Sequence, residues 1–128
     1  MASEWEYAAR AGTQTTRYWG DGIGRNNANC NGCGSRLDGD ETSPVGSFSS
    51  NTFGLQDMLG NVWEWTCSEY TWSYDRSEQK CSVSADNYSL RGGSWSNPPR
   101  GVRAANRYNT STGPWYRSIN IGFRLAQD

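Results

Sequence analysis

The chain contains no histidine. That absence removes imidazole acid–base catalysis, histidine-ligated zinc and His-based catalytic triads in one step. Apolar residues are scarce, at 34% of 128 residues, which excludes a large all-apolar core and allows one domain rather than two. No stretch approaches the apolar length that spans a bilayer, and the N-terminus lacks the apolar segment of a secretory signal. The expectation is a chain with no membrane span and no export address of its own; the sequence assigns no compartment. Internal repeats and low-complexity tracts are absent as well.

What is present is aromatic and loop-forming. Seven Trp and seven Tyr offset part of the apolar deficit, because each ring buries a large area while its N–H or O–H finds a partner. Fifteen Gly, with many Asn, Ser and Asp, point to short strands joined by long loops. The net charge of −1 conceals an asymmetry: residues 1–86 carry twelve acids against six bases, whereas residues 87–128 carry six arginines against one acid, Asp128. A basic, aromatic C-terminal third raises nucleic acid as a partner. The arginines are spaced singly through a Gly/Asn-rich segment, a pattern that more often ties down loop carbonyls and carboxylates. No nucleic-acid partner is expected.

The cysteines are Cys30, Cys33, Cys67 and Cys81. Cys30-Asn31-Gly32-Cys33 has the spacing of half a zinc knuckle, but Cys67 and Cys81 lack the matching spacing. Two disulfides, or one disulfide with a loop clip at Cys30 and Cys33, is the favoured reading. In a reducing compartment these thiols would stay free.

Along the chain, Ser3 with Glu6 suggests a capping box, Trp5, Ala8 and Ala9 share one helical face, and Gly12 fits the stop. Residues 19–43 are almost all turn formers and acids, so they predict a long loop held by something other than a core. Within 53–66, Val62, Glu64 and Thr66 alternate with Trp63 and Trp65, which predicts a strand with both indoles on one face. Residues 68–89 read as a polar insertion. Leu90–Trp95 and Ile121–Leu125 read as two short strands bracketing another polar segment.

The blocks EWEYAARAG at 4–12, TSPVGSF at 42–48, FGLQDMLGNVWEWT at 53–66, LRGGSW at 90–95 and GFRLA at 122–126 resemble, in order, the formylglycine-generating-enzyme (sulfatase-modifying factor) family. The resemblance implies an α+β, C-type-lectin-like fold over residues 1–128, loop-rich, with short antiparallel strands and few helices. Family domains carry more residues before the first block, including a strand. The chain is therefore expected to be either minimal or truncated at its N-terminus, with a partner subunit able to supply that strand.

The family's enzyme resembles a copper oxidase with two cysteines just after its GGS motif. Here those positions hold Asn97 and Val102. Neither forms the thiolate that serves as nucleophile and Cu(I) ligand, so no catalytic residue is assigned. Sulfur-oxidising iron relatives need histidines, which this chain lacks. A narrower resemblance links 91–128 to the variable region of diversity-generating-retroelement target proteins, which end in a run similar to Ile121-Gly122-Phe123-Arg124. Their mutagenesis acts on adenines, chiefly in Asn codons, and yields residues of the kinds interleaved here; Trp115 lies outside that set.

The resemblance implies a non-enzymatic receptor-like domain whose ligand surface uses Ser96, Asn97, Gly101, Tyr108, Asn109, Trp115, Tyr116, Ser118 and Ile119. Independently, Tyr and Trp give contact area at low entropy cost while Ser, Gly and Asn adapt their hydrogen bonds, the composition of antibody paratopes. The bland reading is an ordinary solvated loop. Trp95 is assigned to the core, Trp115 and Tyr116 to the surface. The partner would be a protein or cell-surface ligand, and a homo-oligomer is compatible. The alternative is a sulfatase-modifying-factor-like accessory domain of a larger enzyme system. Sugar binding ranks last, because the usual sugar-site tripeptides are missing.

The family resemblance also implies calcium. One structural site would use the carboxylates of Asp57 and Glu64 with the carbonyls of Gly60 and Val62, an oxygen-only set that suits calcium. The competing reading has Asp57 capping the Gly60 turn and Glu64 paired with an arginine such as Arg124. A weaker second site would use Asn29, the Cys30 carbonyl and an acid within 37–40.

Overall fold

A computed structural model describes residues 1–110 and 113–127. One helix, α1 (Ala2–Arg10), precedes four short strands: β1 (Trp63–Glu69), β2 (Tyr88–Arg91), β3 (Arg107–Asn109) and β4 (Ile121–Gly122). They form one sheet in the order β3-β2-β1-β4. The β1–β2 and β2–β3 ladders are antiparallel. The β1–β4 ladder is parallel, pairing Trp63 with Ile121 and Glu64 with Gly122, a departure from an all-antiparallel sheet. Among the described residues there are also single turns of tight helix at Ser77–Gln79 and Pro99–Gly101. This is the α+β, loop-rich class that the sequence predicts.

The helix forms where expected but starts earlier. Ser3 and Glu6 lie inside it, and the first turn closes through Glu4, whose carboxylate accepts from the Met1 ammonium at 2.5 Å. Ala11, at φ 46°, makes the left-handed stop just before Gly12. Trp5 and Ala9 are buried and Ala8 packs beside them. Glu6 is freed from capping and pairs with Arg10 at 2.9 Å.

The core gathers Trp5, Ala9, Met58, Leu59 and Val102 with Ala28, Cys30 and Cys33. The last three belong to the long loop at 19–43, so that loop does contribute to the core, contrary to expectation. A Cys30–Cys33 disulfide turns it inward, and the Asn61 N–H donates to the Asn29 carbonyl at 2.8 Å. Cys67–Cys81 forms the second disulfide, closing the base of the polar excursion.

The second expected strand is shorter than the sequence suggests. It ends at Arg91 because Gly92 and Gly93 turn the chain with φ of +95° and +77°. A Cβ on Gly93 would stand 2.7 Å from the Gly101 carbonyl oxygen, and one on Gly92 would stand 2.9 Å from that of Met58. Glycine is therefore required at both positions. The last strand shrinks to Ile121–Gly122, leaving Phe123 72% exposed and Leu125 90% exposed. Conversely, β3 forms inside the segment expected to be irregular.

Candidate functional site

The candidate ligand residues sit on the chain that leaves β2 and returns at β4. Tyr108 projects from β3, half exposed, with its ring stacked on buried Trp63 at 5.4 Å. Trp115 is 84% exposed and Ile119 is 81% exposed; Tyr116 and Ser96 are also exposed. The surface assignment of Trp115 and Tyr116 therefore stands. Asn120 links two parts of the segment, donating to the Ser96 hydroxyl at 3.3 Å and accepting from Ser118 at 2.6 Å. Asn109 is half-buried and pairs with Ser89 in the ladder.

Asn97 and Gly101 are used differently. The Asn97 side-chain oxygen accepts from the Ser94 amide at 2.9 Å and from the Ser94 hydroxyl at 2.8 Å. Its carbonyl accepts from the Asn31 amide at 2.9 Å. A Cβ on Gly101 would meet the Asn97 Cβ at 2.9 Å. These two residues lock the turn after β2 instead of joining the exposed rings. Trp95, expected in the core, is only half-buried, and its indole N–H has no partner among the described residues.

Two braces hold this segment, and the first comes from the LRGGSW block. Arg91 is 1% exposed, lies over the Trp5 ring at 5.3 Å, pairs with Glu6 and donates to the Ala104 carbonyl at 3.0 Å. One side chain thereby ties α1, β2 and the segment after Val102 together. Arg107 lies 4.2 Å from the Tyr74 ring and 5.3 Å from that of Tyr70, and donates to the Trp72 carbonyl at 3.2 Å. The reading of the basic residues as loop braces is correct for both.

Of the implied calcium residues, Asp57, Val62 and Glu64 line one cavity of about 440 Å³ together with Asn61, Phe123 and Arg124, whereas Gly60 does not line it. Glu64 is 5% exposed. Its Oε1 accepts from Arg124 at 2.6 and 3.0 Å, and its Oε2 accepts from Arg124 at 2.8 Å and from the Trp5 indole at 2.6 Å. Three donors, with the Arg124 Nε–H shared between both oxygens, make four contacts and fill the carboxylate's acceptor sites. Burial strips water from the Arg124 guanidinium, yet its bonds to Glu64 hold its pKa above the ordinary value. Asp57 does not cap the Gly60 turn; its Oδ2 accepts from the Gly46 amide at 2.6 Å and its buried Oδ1 has no partner among the described residues. A cation here would gain Asp57 at once and Glu64 only if Arg124 moved.

The weaker acid set is engaged elsewhere. Asp38 accepts from the Gly32 and Gly34 amides, which lower its pKa below the usual carboxylate range. The Asn29 side chain bonds the Glu41 carbonyl and the Ser35 hydroxyl. No group of three or more metal-ligating His, Cys, Asp or Glu side chains occurs among the described residues. No helix among them is long and apolar enough to cross a membrane.

Comparison with known proteins agrees with this architecture. The chain is 37% identical to the inactive C-alpha-formylglycine-generating enzyme 2 of Bos taurus, covering 96% of the chain and 41% of that protein. Over 53% of its length it is 49% identical to the formylglycine-generating enzyme of Mycobacterium tuberculosis, covering 26% of that enzyme. Among solved structures, PvdO from Pseudomonas aeruginosa superposes with a TM-score of 0.82 at 34% identity, covering 95% of this chain and 49% of that one. Treponema denticola variable protein 1 gives a TM-score of 0.77 at 26% identity, covering 96% and 44%. The chain thus spans less than half the length of each of these relatives. The family model described as the sulfatase-modifying factor enzyme 1-like domain matches residues 1–128, and the chain belongs to that family.

Proposed function

We propose that the domain is non-catalytic and binds a protein or cell-surface ligand through residues 96–119, on a frame built from α1 and the sheet. The observation that carries this is the division of labour just described. Tyr108, Trp115, Tyr116 and Ile119 expose large apolar groups to solvent, while Asn97, Gly101 and the buried arginine brace fix the backbone of the same segment between Ser94 and Ala104. Exposed rings on a rigid base bind at low entropic cost. Likeness to a variable protein supports the further reading that 91–128 is diversified by a retroelement.

The positions of the oxidase cysteines support the loss of catalysis. Val102 is fully buried in the core, and the Asn97 amide is engaged by Ser94. Neither offers a thiolate. The purified protein is expected to convert no cysteine of a sulfatase-derived peptide to formylglycine, with or without copper. Turnover above a no-protein control would overturn this. A reverse-transcriptase gene beside a near-copy of the 91–128 coding segment would establish diversification, and its absence would remove that part.

A second reading has support of its own. The chain matches 98% of its length to 20% of the serine/threonine-protein kinase Pkn1 of Chlamydia trachomatis, which fits an accessory domain of a larger enzyme system. Calcium at Asp57, Gly60, Val62 and Glu64 is a separate proposal, supported by the unpaired Asp57 oxygen.

A further inference from the structure

We propose that the groove between residues 83–88 and Gly113–Trp115 is a site for a cationic side chain, a guanidinium or ammonium group, carried by the ligand. The inference rests on the ligand-binding reading above and names the chemistry of one part of that surface. The groove, about 560 Å³, is lined by Val83, Ala85, Asp86, Tyr88, Pro114 and Trp115 among others. Its two walls touch: a Cβ on Gly113 would stand 3.2 Å from the Asp86 carbonyl oxygen.

Asp86 is the one acid between residues 79 and 127, a stretch with six arginines. In such surroundings an acid would be expected to capture an internal arginine, yet five of the six are engaged elsewhere. Arg91 pairs with Glu6 and Arg124 with Glu64. Arg107 lies against two tyrosines. Arg117 donates to the Pro114 and Tyr116 carbonyls, and Arg103 donates to that of Arg100. Among the described residues Asp86 is exposed and has no ion pair. The same groove holds Trp115, whose indole is 84% exposed. A carboxylate and an open indole face together favour a cation, the first by charge and the second by the negative face of the ring. Asp86 is the one charged residue among those lining the groove, so this is where a ligand's positive group meets negative charge. Asp86 lies outside 91–128 and gives the surface a fixed element.

The test titrates the full chain with acetyl-arginine amide and with its neutral isostere, acetyl-citrulline amide, read by amide and indole chemical shifts. The arginine compound is expected to shift the Trp115 indole and the Asp86 amide in a saturable way. Asp86→Asn should weaken that binding by up to about fivefold, the upper size of an exposed ion pair, with an unchanged melting temperature. Trp115→Ala should weaken it too. Equal binding of citrulline, no saturable shift, or an unaltered affinity in Asp86→Asn would each overturn the cation site. A protein ligand selected against the domain separates the two proposals. If it contacts Tyr108 and Ile119 and ignores Asp86→Asn, the surface stands and the cation site fails. If it needs neither Tyr108 nor Ile119, the surface reading itself fails.

Discussion

Asn97 and Ser96 are neighbours with opposite duties. Ser96 is exposed, whereas the Asn97 oxygen satisfies the Ser94 amide and hydroxyl. Asn97→Ala leaves two donors without their partner and should cost about 1–3 kcal/mol, the size of an unmet buried bond. Ser96→Ala and Ile119→Ala should stay within about 0.5 kcal/mol, as surface changes do. Urea denaturation of the three variants measures this, and a neutral Asn97→Ala would remove the turn lock. Phe123 belongs with the small effects, since it is 72% exposed. Trp63→Ala should cost about 3–5 kcal/mol, as buried aromatics do. Trp63, Trp65, Trp95 and Phe123 are four large aromatics in or beside the strands that the sequence predicts. Hydrophobicity marks all four alike; only strand lengths decide that Trp63 is covered and Phe123 is not.

At the level of elements, the helix and β1 are legible because each has a period: one apolar face at 5, 8 and 9, and alternation at 62–66. The strand β3 has no such period. Its three residues pair because β2 presents an edge and the disulfide-closed excursion supports Arg107 from the other side. Residues 19–43 are illegible as core for a related reason: Trp19, Ile23, Ala28, Cys30, Cys33 and Leu37 are scattered without a period among turn formers, and the buried ones among them are Ala28 and the two linked cysteines. The excursion from Cys67 to Cys81 depends on its covalent base. Replacing both cysteines by serine should lower stability by about 3 kcal/mol, the loop-closure value for that length. It should also release Arg107 from Tyr70 and Tyr74. An undiminished denaturation midpoint would show that side-chain contacts alone hold the loop.

On the scale of the whole molecule, the Glu64 carboxylate joins three distant parts: Trp5 in α1, its own strand and Arg124 beyond β4. Sequence motifs name Asp57, Gly60, Val62 and Glu64 as a set but cannot tell whether a cation or a guanidinium faces the acids, because both satisfy the same charge. If calcium binds there, it competes with Arg124. Arg124→Gln should then make the melting temperature rise steeply with added calcium and fall in chelator, with a smaller response in the wild type. Melting curves that ignore both reagents in both proteins, with no calcium found by elemental analysis, would leave Arg124 as the sole counter-charge.

The ladder between β2 and β3 is made of main-chain bonds at Ser89–Asn109, Leu90–Tyr108 and Arg91–Arg107. Amide and carbonyl groups are common to every residue type, so apart from the Arg107 brace the register does not depend on which letters are written along β3. Only proline, which has no N–H, is forbidden where the strand must donate. The outer edge is thus a rewritable line, whose text can change while its position on the page is kept by the backbone.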